Sequence, residues 1–411
     1  MTDILESGGQ VLYLSPYFWP EEIGSAPYCT ELAMHLALKG AHVRVIAFRP
    51  HYPSAEPFLD WADGSRDFET HAGCAVERSA VTSRGAGGFR ERLRNDLRYL
   101  SNLIRSTVLG RYKHTAVIVA YVPSTLTLFG ARLVGLLTGA PVLAIVHDIE
   151  SGLAASLRIT KSSTTIKLMR AVERWGFGFA QHIVVLTEGM KAELIKIGCS
   201  SPMTVIPIWG EPGPSVPINP NVRPVVMYSG NFGKKQNIDQ LLPLLERLHE
   251  SGREVDVVMR GDGSERDRIA AEVAARNITN VQFLPLVPAN AFMEVLQSAN
   301  LHLVPQATNV ANYALPSKMF SIMSSGRPFV CIAQVDSPLD ELANRSNAGL
   351  CIAPGEDARL FDAVCTILDD QKLQVEMGGN GREFVRTYMD KATVLEQFTA
   401  LIRGLKAPRK S

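Results

Sequence analysis

Short runs of β-branched and apolar residues recur along this chain, each followed by a turn and then by apolar residues at helical spacing. In the first half they read "QVLYLSP", "HVRVIAF", "AVIVAYV", "PVLAIVHD", "HIVVLTE" and "MTVIPI"; in the second, "VVMYSG", "VDVVMRG", "NVQFLP", "LHLVPQ", "PFVCIA" and "GLCIAP". Runs of this length that do not alternate with polar residues are strands buried on both faces, which demands a parallel sheet covered by helices on each side. The series breaks once, at "PIWGEPGPSVPINPNVRP", where proline and glycine are too dense for a helix or a central strand. The expected fold class is therefore α/β, with two Rossmann-like doubly wound parallel-sheet domains facing a cleft. They are placed at 1–208 and 224–385, joined by a linker at 209–223 and followed by a C-terminal helix and polar tail at 386–411. A length of 411 residues suits two cores of roughly 150–200 residues better than one. Ligands of such sheets sit beyond the carboxyl ends of the strands, so chemistry is expected in the strand-to-helix loops.

Composition removes several function classes. The 42 Lys+Arg nearly cancel the 41 Asp+Glu, so no whole-chain field favours nucleic acid, and any anion preference is local. Six cysteines (Cys29, Cys74, Cys199, Cys331, Cys351, Cys365) lack CxxC pairing, which argues against a zinc cage and a disulfide framework and fits a reducing cytosol. No metal-ligand spacing appears, and no metal or other cofactor is expected. The opening "MTDILESGGQVLYLSP" lacks the basic and apolar regions of a secretion signal. The longest apolar stretch, "TLTLFGARLVGLLTGAPVLAIV", contains Arg132 and is cut by Gly139 and Pro141, so it reads as a helix followed by a buried strand. Gly8 and Gly9 precede the first strand, and no GxGxxG follows it, which speaks against a nicotinamide-dependent enzyme.

Several loops carry candidate chemistry. Gly24 stands before a helix with Leu32, Leu36 and Leu38 that ends at Gly40; it either lets backbone amides approach a phosphate or sugar or is a turn glycine. In "VVMYSGNFGKKQNIDQLLPLLERL", Gly230 and Gly233 thin the backbone beside Lys234 and Lys235, and Asn237 with Gln240 resembles a capping box over the stripe Ile238, Leu241, Leu242, Leu245 and Leu248. Amides at a helix mouth plus a positive charge suit a diphosphate; solvated surface lysines are the plainer alternative. "ALPSKMF" repeats the theme, with Pro316 suited to a first helical turn. Gly261 and Gly263 follow a strand and permit close approach of a ring or ribose. His147 and Asp148 end "PVLAIVHD", either as a proton shuttle or sugar ligand, or as a structural pair. Thr187 and Glu188 read first as the cap and first-turn acid of the helix "EGMKAELIKIG". The helix from Phe89 carries Leu93, Leu97, Leu100, Ile104 and Val108 on one stripe, with Arg90, Arg92, Arg94, Arg98, Arg105 and Arg111 around it. That arrangement rests either on an anionic membrane or against the domain's own core.

Together these stations resemble the GT-B glycosyltransferases of glycosyltransferase family 4, the retaining, nucleotide-sugar-dependent group. Within it they are most similar to transferases of colanic acid and O-antigen assembly, including fucosyl- and N-acetylfucosaminyl-transferases. The carriers are "YFWPEEIGSAPYCTELAMHLALKGAHVRVIAFRPHYPS", "VVLTEGMKAELIKIG", "YSGNFGKKQNI", "RGDGSERDRI", "NVQFLPLVPANAFMEVLQSANLHLVPQ" and "LPSKMFSIMSSGRPFV", which span almost the whole chain. The resemblance implies a hexosyltransferase-type enzyme of exopolysaccharide synthesis, working in the cytoplasm or peripherally at the inner membrane face. Its donor would be UDP- or GDP-linked and its acceptor a polyprenyl-diphosphate-linked glycan.

By the resemblance Lys235 holds the donor diphosphate, Asn231 stands where many members have arginine, and Gly24 lies near the phosphates. Gly230, Gly261, Gly263, Leu284, Leu315, Pro316, Ser317, Lys318 and Ser321 fall on the donor side. His147 and Asp148 fall near the reacting sugars, and Arg90, Arg94 and Arg98 on the acceptor or membrane side. Many members carry two glutamates eight positions apart where this chain has Tyr313 and Ser321. Ser321 offers a ribose one hydrogen bond but no bidentate charged acceptor. That departure leaves open a non-catalytic nucleotide-binding or partner-binding scaffold, and the shared fold leaves open a nucleotide-sugar 2-epimerase.

Overall fold

The computed structural model describes residues 9–22, 24–52, 54–82, 89–157, 162–219 and 222–405. The segment up to Gly8, the side chain of Phe89 and the polar tail after Leu405 lie outside the described residues, and with them the readings placed there. The chain divides into two units: the described parts of 1–154, 160–207 and 392–411, and those of 155–159 and 208–391.

The first unit runs β1 (Gln10–Leu14), α1 (Ala26–Leu38), β2 (His42–Phe48), β3 (Phe68–His71), β4 (Cys74–Ser79), α2 (Phe89–Val108), β5 (Thr115–Tyr121), α3 (Leu126–Thr138), β6 (Val142–Val146), α4 (Glu150–Ser156), α5 (Ser163–Phe177), β7 (His182–Val185), α6 (Glu188–Lys196) and β8 (Met203–Val205). Its sheet has the order β3-β4-β2-β1-β5-β6-β7-β8. All neighbours are parallel except the β3–β4 pair. The central strands are sealed: Val11, Leu12, Val117, Ile118, Leu143 and Ile183 expose nothing. The long apolar stretch splits as expected into α3, a left-handed Gly139 and β6. Among the described residues no helix is long and apolar enough to cross a membrane.

The second unit runs β9 (Val225–Ser229), α7 (Leu242–Glu250), β10 (Asp256–Arg260), α8 (Arg266–Ala275), β11 (Val281–Leu284), α9 (Ala289–Gln297), β12 (Leu301–Pro305), α10 (Lys318–Ser325), β13 (Phe329–Ile332), α11 (Pro338–Ser346), β14 (Gly349–Ile352), α12 (Asp357–Asp369) and α13 (Gln371–Tyr388). Its six strands are all parallel, in the order β11-β10-β9-β12-β13-β14. The Pro/Gly-rich segment packs on this unit: Gln297 donates to the Pro214 carbonyl, Arg327 to Val216 and Gln371 to Ile218. The last helix, α14 (Lys391–Gly404), belongs to the first unit, where Thr399 meets His35 at 3.1 Å and Glu396 pairs with Lys39.

Two local expectations are corrected, at Asn237 and at Pro316. Leu32, Leu36 and Leu38 lie on α1 as expected, with Leu38 84% exposed because a residue two positions after buried Leu36 points nearly to the opposite side of a helix. Asn237 takes a left-handed conformation without a side-chain cap, and the Gln240 amide donates to the Asn237 and Gln306 carbonyls, so no capping box forms; a short 3₁₀ turn, Ile238–Leu241, leads into α7. Pro316 lies ahead of α10 and not in its first turn, its carbonyl accepting from the Met319 amide. The stripe Leu93, Leu97, Ile104 and Val108 faces outward, while Asn95, Tyr99, Leu103, Ser106 and Thr107 face the core. The polar members of that inner face are satisfied: Asn95 Oδ1 accepts from the Thr82 amide and hydroxyl, and the Tyr99 hydroxyl donates to the Ile46 carbonyl.

Candidate active site

In each sheet the chain reverses direction at one point, between β1 and β5 and between β9 and β12. Loops leaving adjacent strands diverge there and open a crevice at the strand ends. Most of the sequence-derived candidates lie on these loops.

In the second unit, the loops after β9 and β10 are stitched together. The Gly230 amide donates to the Arg260 carbonyl at 3.0 Å, and the Phe232 amide to Asp262 at 2.8 Å. In the same network the Gly261 amide donates to Leu284 at 3.0 Å and the Glu265 amide to Phe232 at 2.9 Å. Gly261 (φ +139°) and Gly263 (φ +145°) hold backbone that side chains disfavour, and a Cβ on Gly261 would overlap the Gly230 carbonyl oxygen. These glycines therefore bring two loops into contact. The amides of Gly230, Gly261 and Gly263 have partners within the protein, the last in the Asp262 carboxylate. Leu284 serves as a strut, its side chain packed with Met227 and Val258 and its carbonyl on Gly261.

Lys235 is half-buried, and its carbonyl accepts from the Ala307 amide, tying the β9 loop to the segment after β12; Lys234 and Asn231 are exposed. The Tyr228 hydroxyl donates to the Asn231 carbonyl at 2.6 Å and fixes the loop from below. Lys318 opens α10 with its Nζ enclosed, 4.0 Å from the centre of the Tyr228 ring. Leu315, Pro316 and Ser317 lead into it, half-buried, and Ser317 makes no side-chain cap. Ser321, one turn further along α10, lines a pocket of about 360 Å³ together with Trp209, Glu211, Met293, Phe320 and Ser324.

In the first unit, Gly24 (φ +67°) precedes α1 with open space around it. The stretch before it is anchored by Arg78, whose side chain is buried and donates to the Trp19 and Phe48 carbonyls and to Glu69. Glu21 accepts from the His51 and Tyr52 amides at 2.8 and 2.9 Å, and burial pushes its pKa up to about 7. His147 follows β6 with its ring edge-on to Tyr121; enclosure pushes its pKa down to about 4. At neutral pH it is an uncharged imidazole, suited to a sugar hydroxyl and ill suited to carrying a proton. Burial likewise pushes Asp96 on α2 up to about 6, with Glu150 adding to the effect and Ser124 and Arg92 opposing it. Glu150 in turn accepts from the Thr125 amide and hydroxyl at 3.0 Å. Asp96 escaped the sequence reading because it sits in no recognisable motif, and Glu21 because its stretch, "YFWPEEIG", was read for Gly24. Thr187 caps α6 through the Met190 amide, the structural role expected for it.

Two units, each a parallel sheet with strand-end loops that carry the candidate residues, define a GT-B protein. Residues 24–209 match the glycosyl transferase 4-like domain and residues 215–384 the glycosyl transferases group 1 domain, and the chain belongs to the glycosyltransferases that join these two. It is 24% identical over 413 aligned positions to an Escherichia coli (strain K12) protein designated colanic acid biosynthesis glycosyl transferase WcaI, covering 96% of this chain and all of that one. A 2-deoxystreptamine glucosyltransferase of Streptomyces kanamyceticus is 23% identical over 61% of this chain and 67% of its own length. Among solved structures, the sucrose-phosphate synthase of Thermosynechococcus elongatus superposes with a TM-score of 0.77 at 17% identity, over 96% of this chain and 98% of that one. Anabaena HepE in complex with UDP-glucose gives 0.69 at 14% identity, over 97% and 100%. At these identities the structural likeness establishes the fold.

Proposed function

We propose that this chain transfers a hexosyl group from a nucleotide-diphosphate-sugar, UDP- or GDP-linked, to a lipid-linked glycan during surface-polysaccharide synthesis, with retention at the anomeric carbon. The observation that carries the reading is the pair of glycine-laced loops after β9 and β10, the first of them at the β9/β12 reversal, with Lys235 and Lys318 on the same side of the sheet. A departing diphosphate needs fixed positive charge at that point, and prearranged charge is usually the largest catalytic contribution. The relationship to WcaI supports a role in polysaccharide assembly, and HepE, solved with UDP-glucose, supports a nucleotide-sugar donor. His147, neutral and enclosed, suits a hydroxyl of the sugar being transferred, and Gly24 leaves room for a donor phosphate.

A polyprenyl-linked acceptor requires a membrane nearby, and the first unit has a face for one. Leu93, Leu97, Ile104 and Val108 of α2 are exposed, Val108 by 71%, among exposed Arg90, Arg94 and Arg98. Leu100 and Leu103 seat α2 against Gly130 of α3, which exposes Leu136 and Leu137. Apolar side chains ringed by arginines bind anionic bilayers through both terms. A working location at the cytoplasmic face of the membrane follows from that reading.

The test is a thermal-shift screen against UDP- and GDP-sugars, followed by transfer to a synthetic polyprenyl-diphosphate glycan and anomeric NMR of the product. An α-linked donor giving an α-linked product supports retention, and inversion removes it. Substitution of the two family glutamates by Tyr313 and Ser321 favours a second reading, a nucleotide-binding scaffold. Nucleotide binding without transfer or hydrolysis is the result that would select it; release of an epimerised free sugar would select an epimerase.

A further inference from the structure

Lys318 differs in kind from Lys234 and Lys235. Its Nζ has no exposed surface and no hydrogen-bond partner among the described residues. The nitrogen lies over the Tyr228 ring on β9, and a Cβ added to Gly230 would come within 3.2 Å of it. An ammonium is thus held between an aromatic face and the backbone of the first residue after β9, at the first position of α10. A ring face replaces only part of an ammonium's hydration, and its N–H donors are left unused. Enclosure pushes its pKa down to about 7. Among the described residues, the titratable side chains near it are Tyr228 on β9 and His302 on β12, with Arg327 after α10 acting on His302 in turn, and none of the three supplies an anion. Burial keeps Tyr228 and His302 uncharged, and Arg327 donates to the Gln297 and Val216 carbonyls.

We propose that Lys318 is the group that receives the donor's diphosphate, and that the arrival of the diphosphate draws a proton onto its Nζ, so that donor binding and protonation are one coupled event. This rests on the reading that a nucleotide-diphosphate-sugar binds beyond β9. The step is a proton transfer from buffer to the neutral amine, giving an ammonium facing a phosphate oxygen; no bond of the donor is made or broken. An anion at hydrogen-bond distance stabilises the charged form and returns the lysine towards its ordinary pKa. Because the nitrogen sits out of solvent, its attraction is not screened as that of exposed Lys234 is.

The experiment is isothermal titration calorimetry of the full chain with UDP-glucose and GDP-mannose, whose doubly esterified diphosphates do not titrate near neutrality. Each titration is run in two buffers of different ionisation enthalpy. The expected result is uptake of about half a proton per nucleotide at pH 7, approaching one at pH 8 and falling towards zero at pH 5.5, as linkage requires. Lys318→Met, checked for folding by circular dichroism, loses the uptake and binds about 10- to 100-fold more weakly, the range for a charge-assisted contact. Lys235→Met weakens binding while keeping the uptake. Wild-type binding with no proton uptake at any pH, or uptake that survives Lys318→Met, overturns the inference and leaves the donor reading standing. Failure of both nucleotides to bind the wild-type chain overturns the two together.

Discussion

Lys318→Met should make the protein more stable while disabling it, and the size of the gain follows from the structure. Burial moves the lysine from 10.5 to about 7. At about 1.4 kcal/mol per pK unit, the folded state disfavours the charged form by about 4–5 kcal/mol, and nearly all of this is felt at pH 7. Relaxation of the enclosure and entry of water reduce it, so about 2–4 kcal/mol is the working figure. The sign is fixed by proton counting. Between pH 7 and 10.5 the unfolded chain holds a proton that the folded chain has released, so wild-type stability rises with pH across that window. Methionine keeps an unbranched side chain of similar reach against Tyr228 and carries no charge. The variant should therefore gain most at and below pH 7 and almost nothing near pH 10.5. For a unit of this size each kcal/mol moves Tm by about 2–4 °C, giving an upward shift of about 4–16 °C in the second unit's transition at pH 7. Differential scanning calorimetry at pH 7 and pH 10 measures it. A lower Tm at pH 7, or an equal gain at both pH values, would show that the ammonium is not disfavoured where it sits.

Four further outcomes follow from the same structure. Gly261→Ala, which combines a left-handed φ with overlap onto the Gly230 carbonyl, should lose about 2–4 kcal/mol in urea denaturation, whereas Gly24→Ala, left-handed but in open space, should lose only about 1 kcal/mol. Glu21→Gln should stabilise the protein above pH 7 by up to about 3 kcal/mol and change little below pH 4.5. The reason is that the folded state holds a proton on Glu21 between those values, and wild-type stability falls as pH rises through them; pH-dependent melting tests it. Leu97→Asp with Val108→Asp should abolish co-sedimentation with anionic liposomes while shifting Tm little, because both side chains already face water. Lys235→Ala should reduce transfer about 10²-fold if it neutralises the departing phosphate, and near-normal turnover would remove that role.

The strands of both sheets were legible because a strand buried on two faces leaves an uninterrupted apolar run, and little else in a sequence does. The β3–β4 hairpin was not: β3 alternates between half-buried and exposed at the edge of the sheet, and β4, though mostly buried, reads CAVERS, with Glu77 and Arg78 breaking any apolar run. Helix α2 shows the opposite failure. Its leucine stripe is plain in the sequence, but periodicity reports that a face is apolar, not what covers it. The core side is carried by Asn95, Tyr99, Ser106 and Thr107, whose polarity disguises them until their hydrogen bonds are seen.

The donor-side loops repeat that lesson at closer range. The glycines after β9 and β10 are where the sequence puts them, yet a glycine states only that a side chain is unwelcome. At Gly261 the intruder would meet another loop's carbonyl, and the Gly230 and Gly261 amides tie neighbouring strand ends together. Positive charge at the site comes from side chains as well, and two lysines there divide by solvation. Lys234 is exposed and screened, and Lys318 is enclosed, without a hydrogen-bond partner among the described residues and held at the edge of losing its proton. Spacing in a sequence locates both, but only burial separates a lysine that decorates the surface from one whose charge is drawn out by the ligand it binds.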